Sequence, residues 1–325
     1  MSAFDRFQTG PDDQGRRVDR IVRRLFPGLS LSMLYRMFRT GSVRLSGKKA
    51  KGSDLIQAGD EIIVKHPQGI VPIPENEDKK TLPNPGQNKK HSQFLESLIL
   101  VRTPDLIIIN KPKGLLTHGS EGLDELTTAY FSGTPSSSLS FRPAPLHRLD
   151  RNTSGVLAVS ASIIGAQAFS AAMKAGLIGK EYLALLDGRL ETKLYMEDRL
   201  LRNGKDKTST VVDGDAGAIA ETWLIPLAAS ARHTLVAIRI ATGLTHQIRV
   251  QCAFHGFPLS GDTKYAGSPL LGGYLLHCVQ LEFPVDFSAE IPHKVIAPLP
   301  SAFISALKGI FDPSSLDSKA LQRYF

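Results

Sequence analysis

The sequence predicts an α+β chain in three parts: a small basic module of helices and short strands, a polar Pro-rich tether, and a larger strand-rich domain. Three observations predict it. Residues 14–66 mix helical apolar spacing with short strand runs and hold 12 Lys and Arg against 4 Asp and Glu. Residues 67–94 set Pro67, Pro72, Pro74, Pro83 and Pro85 among Asn, Lys, Glu and Gln with almost no apolar side chains, and such a stretch cannot bury enough surface to fold alone. From residue 95 onward, short apolar runs recur between turns marked by Gly and Pro, the pattern of a sheet-based domain. The expected boundaries are therefore 1–66, 67–94 and 95–325.

In the module, Val18, Ile21, Val22, Leu25 and Phe26 form one apolar stripe of a helix, with Arg16, Arg20, Arg23 and Arg24 mostly outside it. Pro27-Gly28 ends that helix. Ser30 or Ser32 can cap a second helix that turns Met33, Leu34, Met37 and Phe38 inward and Arg36 and Arg39 outward, with Gly41 as its stop. Strands follow at Ser42–Leu45 and Glu61–Val64, joined through turns at Ser46-Gly47 and Gly59-Asp60.

The chain has 325 residues, 42% hydrophobic and 22% charged, the proportions of an ordinary globular protein large enough for two domains. The whole net charge of +8 lies in residues 14–66, because the remainder carries 27 basic and 27 acidic residues. A basic face on a small module suits a polyanion, since neutralised phosphates release counterions; a solvated, solubilising surface is the alternative. The start, Met1 to Arg6, lacks the apolar core of a secretory signal, and no apolar run approaches membrane-spanning length. Cys252 and Cys278 stand without a zinc-like histidine pattern, so reduced thiols in a cytoplasmic protein are expected.

The chemistry concentrates after residue 104. Asp105 to Asn110 reads as a strand ending in Lys111-Pro112-Lys113-Gly114, a turn that could offer Lys111 to a phosphate or be a turn only. His147-Arg148-Leu149-Asp150-Arg151-Asn152-Thr153-Ser154-Gly155 then sets an acid between two arginines ahead of a turn and an apolar strand. Flanking guanidinium groups favour an ionised Asp150, although a lone Asp in such a place is normally a turn residue. Thr245 can cap a helix running to His255-Gly256. There is no His-Glu-x-x-His pattern, phosphate-binding Gly-Lys-Thr loop or dinucleotide fingerprint, so neither a metal nor another cofactor is expected. His147, His246 and His277 are each expected as hydrogen-bonded structural residues.

The string from His147 to Gly155 is similar to the signature HRLDxxTSG of the RluA/RluC-type ribosomal large-subunit pseudouridine synthases. Lys180-Glu181-Tyr182, Thr242 to Val250, Gly261 to Tyr265 and Leu276-His277-Cys278 resemble further family segments in the family's order, from roughly Leu98 to Pro284. Arg17-Val18-Asp19, Gly41 to Lys48 and Ala58-Gly59-Asp60 resemble an RNA-binding module shared with a ribosomal protein. His118 to Leu123 looks most like the RluC-type members.

The resemblance implies a mixed, mostly antiparallel sheet with peripheral helices. It implies Asp150 as the catalytic carboxylate, Arg249 as its partner and Tyr182 against the target base. Arg148 would fill the space left by the flipped base, Leu276 would border the base, and Arg17, Arg20, Arg36, Arg39, Arg44 and Lys48 would hold RNA. The implied partner is large-subunit ribosomal RNA, acted on by a monomer with no membrane attachment. Leu244 and Gln251-Cys252 depart from the family pattern, where a basic residue and His-Leu are usual. A non-catalytic RNA-binding or assembly factor, the same chemistry on transfer RNA, and a glycosidase remain as alternatives, the last needing a second distinctive carboxylate. The point at which Asp150 would attack is open.

Overall fold

The computed structural model describes residues 2–67, 85–132, 138, 139, 141–204, 208–316 and 324. It forms two compact units, one of Met1–Ser97, Glu125–Ala144 and Ser160–Ala166, the other of Leu98–Asp124, Pro145–Val159 and Gln167–Phe325. This division differs from the expected boundaries. Residues 68–84 of the expected tether lie outside the described residues, but helix Pro85–Ser97 occupies its last part. Residues 125–144 group with the N-terminal segment because buried Asp13 accepts hydrogen bonds from Ser138 Oγ (2.6 Å) and the Leu139 amide (2.8 Å).

The first unit holds β1 (Ser2–Gln8), α1 (Val18–Leu25), α2 (Leu31–Thr40), β2 (Val43–Leu45), β3 (Lys48–Lys49), β4 (Glu61–Pro67) and α3 (Pro85–Ser97). Its antiparallel sheet runs β1-β4-β2-β3. The stripe of α1 is buried as its spacing requires, from Val18 through Phe26. Ser30 caps α2 by accepting from the Met33 amide, and Gly41 stops it in the left-handed region at φ 75°. Met33, expected inward, is instead exposed; it sits in the first turn, beyond the contact that Leu34, Met37 and Phe38 make.

The second unit is built on β5 (Ile99–Arg102), β6 (Leu106–Lys111), β7 (Ser154–Ser160), β8 (Gly179–Asp187), β9 (Leu194–Asn203), β10 (Thr208–Val212), β11 (Ala218–Ala229), β12 (His233–Ile240), β13 (Leu276–Glu282) and β14 (Lys294–Ile296). They form one sheet in the order β10-β9-β11-β12-β8-β13-β7-β6-β5, with β14 also on β13. The pairings from β10 to β13 are antiparallel and β13–β7 is parallel, so the mixed, mostly antiparallel α+β sheet is as expected. Helices α4 (Leu123–Phe131) and α5 (Ile163–Lys174) precede α6 (Gln247–Phe254), α7 (Ser301–Ile310) and α8 (Pro313–Leu316). Side chains alternate across a strand, and the alternation sorts two helices onto opposite faces. Val250 of α6 packs with Leu200 and Ala220, whereas Phe303 and Leu307 of α7 pack with Leu183, Leu185, Leu235 and Ala237.

Two motif histidines fix the start of β7. His277 binds Ser154 Oγ through Nδ1 (2.8 Å) and the Ala297 carbonyl through Nε2 (3.2 Å). His147 Nε2 accepts from the Ala158 amide at 3.0 Å, with its ring stacked on Phe169. Burial pushes their imidazoles down, to about 4 in His277 and about 3 in His147, so both are neutral acceptors or donors rather than charges.

Gly155 explains the last letter of the motif. It has φ 116°, and a Cβ built on it would stand 2.1 Å from the Cys278 carbonyl oxygen, inside the parallel β7–β13 contact. Gly155→Ala should therefore lower stability by at least about 2 kcal/mol through strain and strand separation. Denaturant unfolding checks this; a midpoint equal to that of the native chain would show that the strands can part without cost.

Candidate active site

Asp150 sits in a tight turn, the Thr153 amide donating to its carbonyl at 3.0 Å, just before β7. The turn is tied to the segment after β6. The Gly114 amide donates to the Arg151 carbonyl (2.8 Å), Arg151 Nε returns to the Gly114 carbonyl (3.1 Å), and Thr117 Oγ1 donates to the Leu149 carbonyl (2.8 Å). The carboxylate thus projects from a braced loop into a pocket bordered by Arg148, Tyr182, Leu244, His246, Arg249 and Leu276. The pocket is a small cleft of about 60 Å³.

Arg249, on the first turn of α6, organises the polar side. Its Nη1 donates to Asp150 Oδ2 at 3.1 Å, while Nε and Nη2 grip Asp262 Oδ2 and Oδ1 at 2.6 and 2.9 Å. The side chains of Arg249, Asp150 and Asp262 are 7%, 15% and 2% exposed, so this is a buried triad rather than a surface pair. The guanidinium lies over the rings of Tyr274 and Tyr265, its carbon 4.5 and 5.0 Å from their centroids, a cation–π cradle. Burial opposes its charge, but Asp262, Tyr274 and Asp150 outweigh burial and raise its pKa. One cation therefore serves two carboxylates, a bidentate pair with Asp262 leaving one nitrogen for Asp150.

The register of α6 is set by side chains to which the sequence assigned no such role. Thr245 was expected to cap this helix; instead His246 occupies the N-cap at φ 57° with no side-chain cap. Gln247 accepts from Thr242 Oγ1 and the Leu244 amide, and donates to the Glu221 carbonyl. Gln251, one of the departures from the family pattern, accepts from Thr222 Oγ1 (2.7 Å) and donates to Asp198 Oδ2 (2.7 Å) and the Ala220 carbonyl (3.0 Å). These buried amides are satisfied on both ends, and they pin the helix that carries Arg249 to β9 and β11. Cys252 and Cys278 are buried free thiols.

Tyr182 on β8 lies directly opposite Ile238 and Cys278 in its neighbouring strands. It is buried, and burial together with the Cys278 thiol raises its phenol well above the ordinary value, so it is a neutral ring wall. Leu276 is buried at the same pocket, and Arg148 is exposed at its mouth. His246 has a hydrogen-bond partner, as expected, and also borders the pocket: its Nδ1 is 2.8 Å from Tyr265 Oη and its Nε2 is 3.7 Å from Asp150 Oδ2. Burial lowers its pKa, with Arg249 and Lys264 adding to the effect and Asp150 opposing it.

Lys111 corrects an expectation. Its turn was read as offering it to a phosphate or as a turn only; it is fully buried, and its Nζ donates to the carbonyls of Leu115 (2.7 Å), Pro112 (3.1 Å) and Arg151 (3.3 Å). Burial pushes its amine down to about 8 against the pull of Asp150. A lysine with three carbonyl acceptors has no donor left over; it clips the β6 turn to the loop that carries Asp150. Asp262, Tyr265 and Tyr274 were missed as site residues, although the first two stand inside the recognised Gly261 to Tyr265 segment.

In the first unit, Arg17, Arg20, Arg36, Arg39, Arg44 and Lys48 are all exposed. Arg17 is bound to Asp19 at 2.6 Å, which raises its pKa. Among the described residues no group of His, Cys, Asp or Glu could hold a metal ion, and no helix is long and apolar enough to cross a membrane.

Comparison with known proteins puts this geometry in a lineage. The family model for RNA pseudouridylate synthase matches residues 105–254, from β6 through the end of α6. The chain is 30% identical over 312 residues to ribosomal large subunit pseudouridine synthase C of Vibrio cholerae, covering 91% of this chain and 93% of that one. It is 28% identical over 334 residues to ribosomal large subunit pseudouridine synthase D of Xylella fastidiosa, covering 97% and 96%. Among solved structures, human RNA Pseudouridylate Synthase Domain Containing 4 shares the fold, with a TM-score of 0.58 and 21% identity over 69% of this chain and 96% of that one. A carboxylate presented by the matched segment and held by the arginine of α6 accords with that likeness, and the chain belongs to the RNA pseudouridylate synthase family.

Proposed function

We propose that the chain isomerises uridines of large-subunit ribosomal RNA to pseudouridine, with Asp150 as its catalytic carboxylate. The observation that carries this reading is the Asp150–Arg249–Asp262 triad at a pocket walled by Tyr182 and Leu276. The names of the relatives, ribosomal large subunit pseudouridine synthases C and D, support the substrate. A monomer working in the cytoplasm completes the proposal.

The reaction breaks the bond between sugar and N1 of uracil, turns the base, and rejoins the sugar to C5, whose proton is lost while N1 gains one. Nothing is consumed, so the chain must supply a carboxylate as nucleophile or base, a surface that holds the loosened base, and freedom from competing water. Asp150 supplies the first. The flat phenol of Tyr182 and the side chain of Leu276 supply the second. The target nucleotide must leave its stack to reach Asp150, and exposed Arg148 at the pocket mouth suits the vacated space. The exposed arginines of α1 and α2 would hold the surrounding phosphates with little sequence preference.

Asp150→Asn should keep its shape and RNA affinity but form pseudouridine on unmodified ribosomal RNA at least about a thousandfold more slowly. Turnover at the native rate would remove Asp150 from the chemistry. Arg249→Ala should lose about 3–5 kcal/mol of stability as well, because two buried carboxylates lose their shared cation; unchanged unfolding with lost turnover would mean that the triad is not structural. Replacing Arg36 and Arg39 by Gln should flatten the dependence of log affinity on log salt by roughly 0.7–0.9 for each phosphate no longer neutralised. An unchanged slope would take RNA away from this module.

A further inference from the structure

The large sheet has a second face that the catalytic reading does not use. On β12, Ile240 borders the pocket, so Arg239, the adjacent residue, points to the other face. Arg239 is paired across the ladder with Trp223, and Trp223 with Tyr195, which places both aromatics on the face away from Asp150. This is also the face that α7 covers over Leu183, Leu185, Leu235 and Ala237. Over β9 and the first half of β11 it is left open: Tyr195, Leu201, Ile219 and Trp223 are 47%, 47%, 46% and 38% exposed.

The composition of that open corner is selective. The rings of Tyr195 and Trp223 lie 5.1 Å apart. The next pair on the same face sets Glu197 directly opposite Glu221, and like charges in that position destabilise a sheet. Tyr195 Oη is 2.7 Å from Glu197 Oε2 and 3.0 Å from Glu221 Oε1, but one hydroxyl proton cannot satisfy both carboxylates. No cation among the described residues pairs with either glutamate. Arg199 turns to the Gly217 carbonyl and Arg239 to Glu181. In a chain of net charge +8, an exposed aromatic pair beside two unneutralised carboxylates is a local reversal of sign.

We infer that this face of β9 and β11 docks a basic segment of a partner protein. An arginine side chain of that segment lies on the Tyr195–Trp223 rings and places its guanidinium between Glu197 and Glu221, combining stacking with charge-assisted hydrogen bonds. RNA is the disfavoured occupant, because its phosphates would meet two carboxylates against the single guanidinium of Arg199, in the next pair on this face. The inference does not depend on the role of Asp150.

Trp223 is the single tryptophan of the chain, so its fluorescence reports this corner alone. The full chain is titrated with an oligo-arginine peptide and, separately, with an oligouridylate. The docking surface predicts a saturable fluorescence change with the peptide. It also predicts affinity at least about tenfold weaker in a Glu197→Gln, Glu221→Gln double variant. That variant should melt no lower than the native chain, since it removes a like-charge pair, and should form pseudouridine at an unchanged rate. A peptide titration without saturable change, equal peptide affinity in the variant, or an oligouridylate that produces the same saturable change would each overturn the inference.

Discussion

A single guanidinium carries the architecture of the site. Among the described residues, Arg249 is the only group that binds both Asp150 and Asp262, and all three side chains are largely out of water. Burying such charges is costly unless each is matched in geometry as well as sign. Asp262 meets that condition by taking two nitrogens side by side, which fixes the plane of the guanidinium. The rings of Tyr274 and Tyr265 then pack against the guanidinium. What is left is one nitrogen, Nη1, which donates to the carboxylate of Asp150. The Asp150 carboxylate is therefore oriented by a partner that is itself held in place.

Much of the surrounding fold serves to keep the two ends of that contact in register. Arg249 comes from α6, and α6 is anchored to β9 and β11 by Gln247 and Gln251, whose amides find partners on every side. Asp150 comes from the loop before β7, braced below by the Lys111 ammonium and behind by the close passage of Gly155 against Cys278. The two halves meet because β7 and β8 both flank β13. Gln251 shows how a departure from a family pattern can be absorbed: the position still joins helix to sheet, through an amide bridging Thr222 and Asp198.

The sequence was informative where faces decide structure and silent where single polar side chains do. The stripes of α1 and α2, the β6 run and the antiparallel tendency followed from apolar spacing, turn residues and resemblance. β1 escaped notice because Phe4, Asp5 and Arg6 carry no apolar alternation, and α3 because Pro85 and the polar residues after it resemble a tether. Asp150, Tyr182 and Arg249 could be named from a familiar string, yet Asp262, Tyr265 and Tyr274 could not. Their roles depend on contacts across the fold, with Tyr274 well outside the string that contains Arg249. Lys111 misled for the same reason: a lysine at a turn normally reaches solvent, and only the fold reveals three carbonyls turned toward it.

The coupling between Asp262 and Arg249 tests the account most directly, measured as a double-mutant cycle on the single-turnover rate of pseudouridine formation. Asp262→Asn and Arg249→Lys should each slow the reaction, and the double variant should be no slower than the worse single one, a coupling of at least about 2 kcal/mol. Independent, multiplying effects, or a native rate in Asp262→Asn, would contradict the claim that Asp150 is aimed through a clamped arginine.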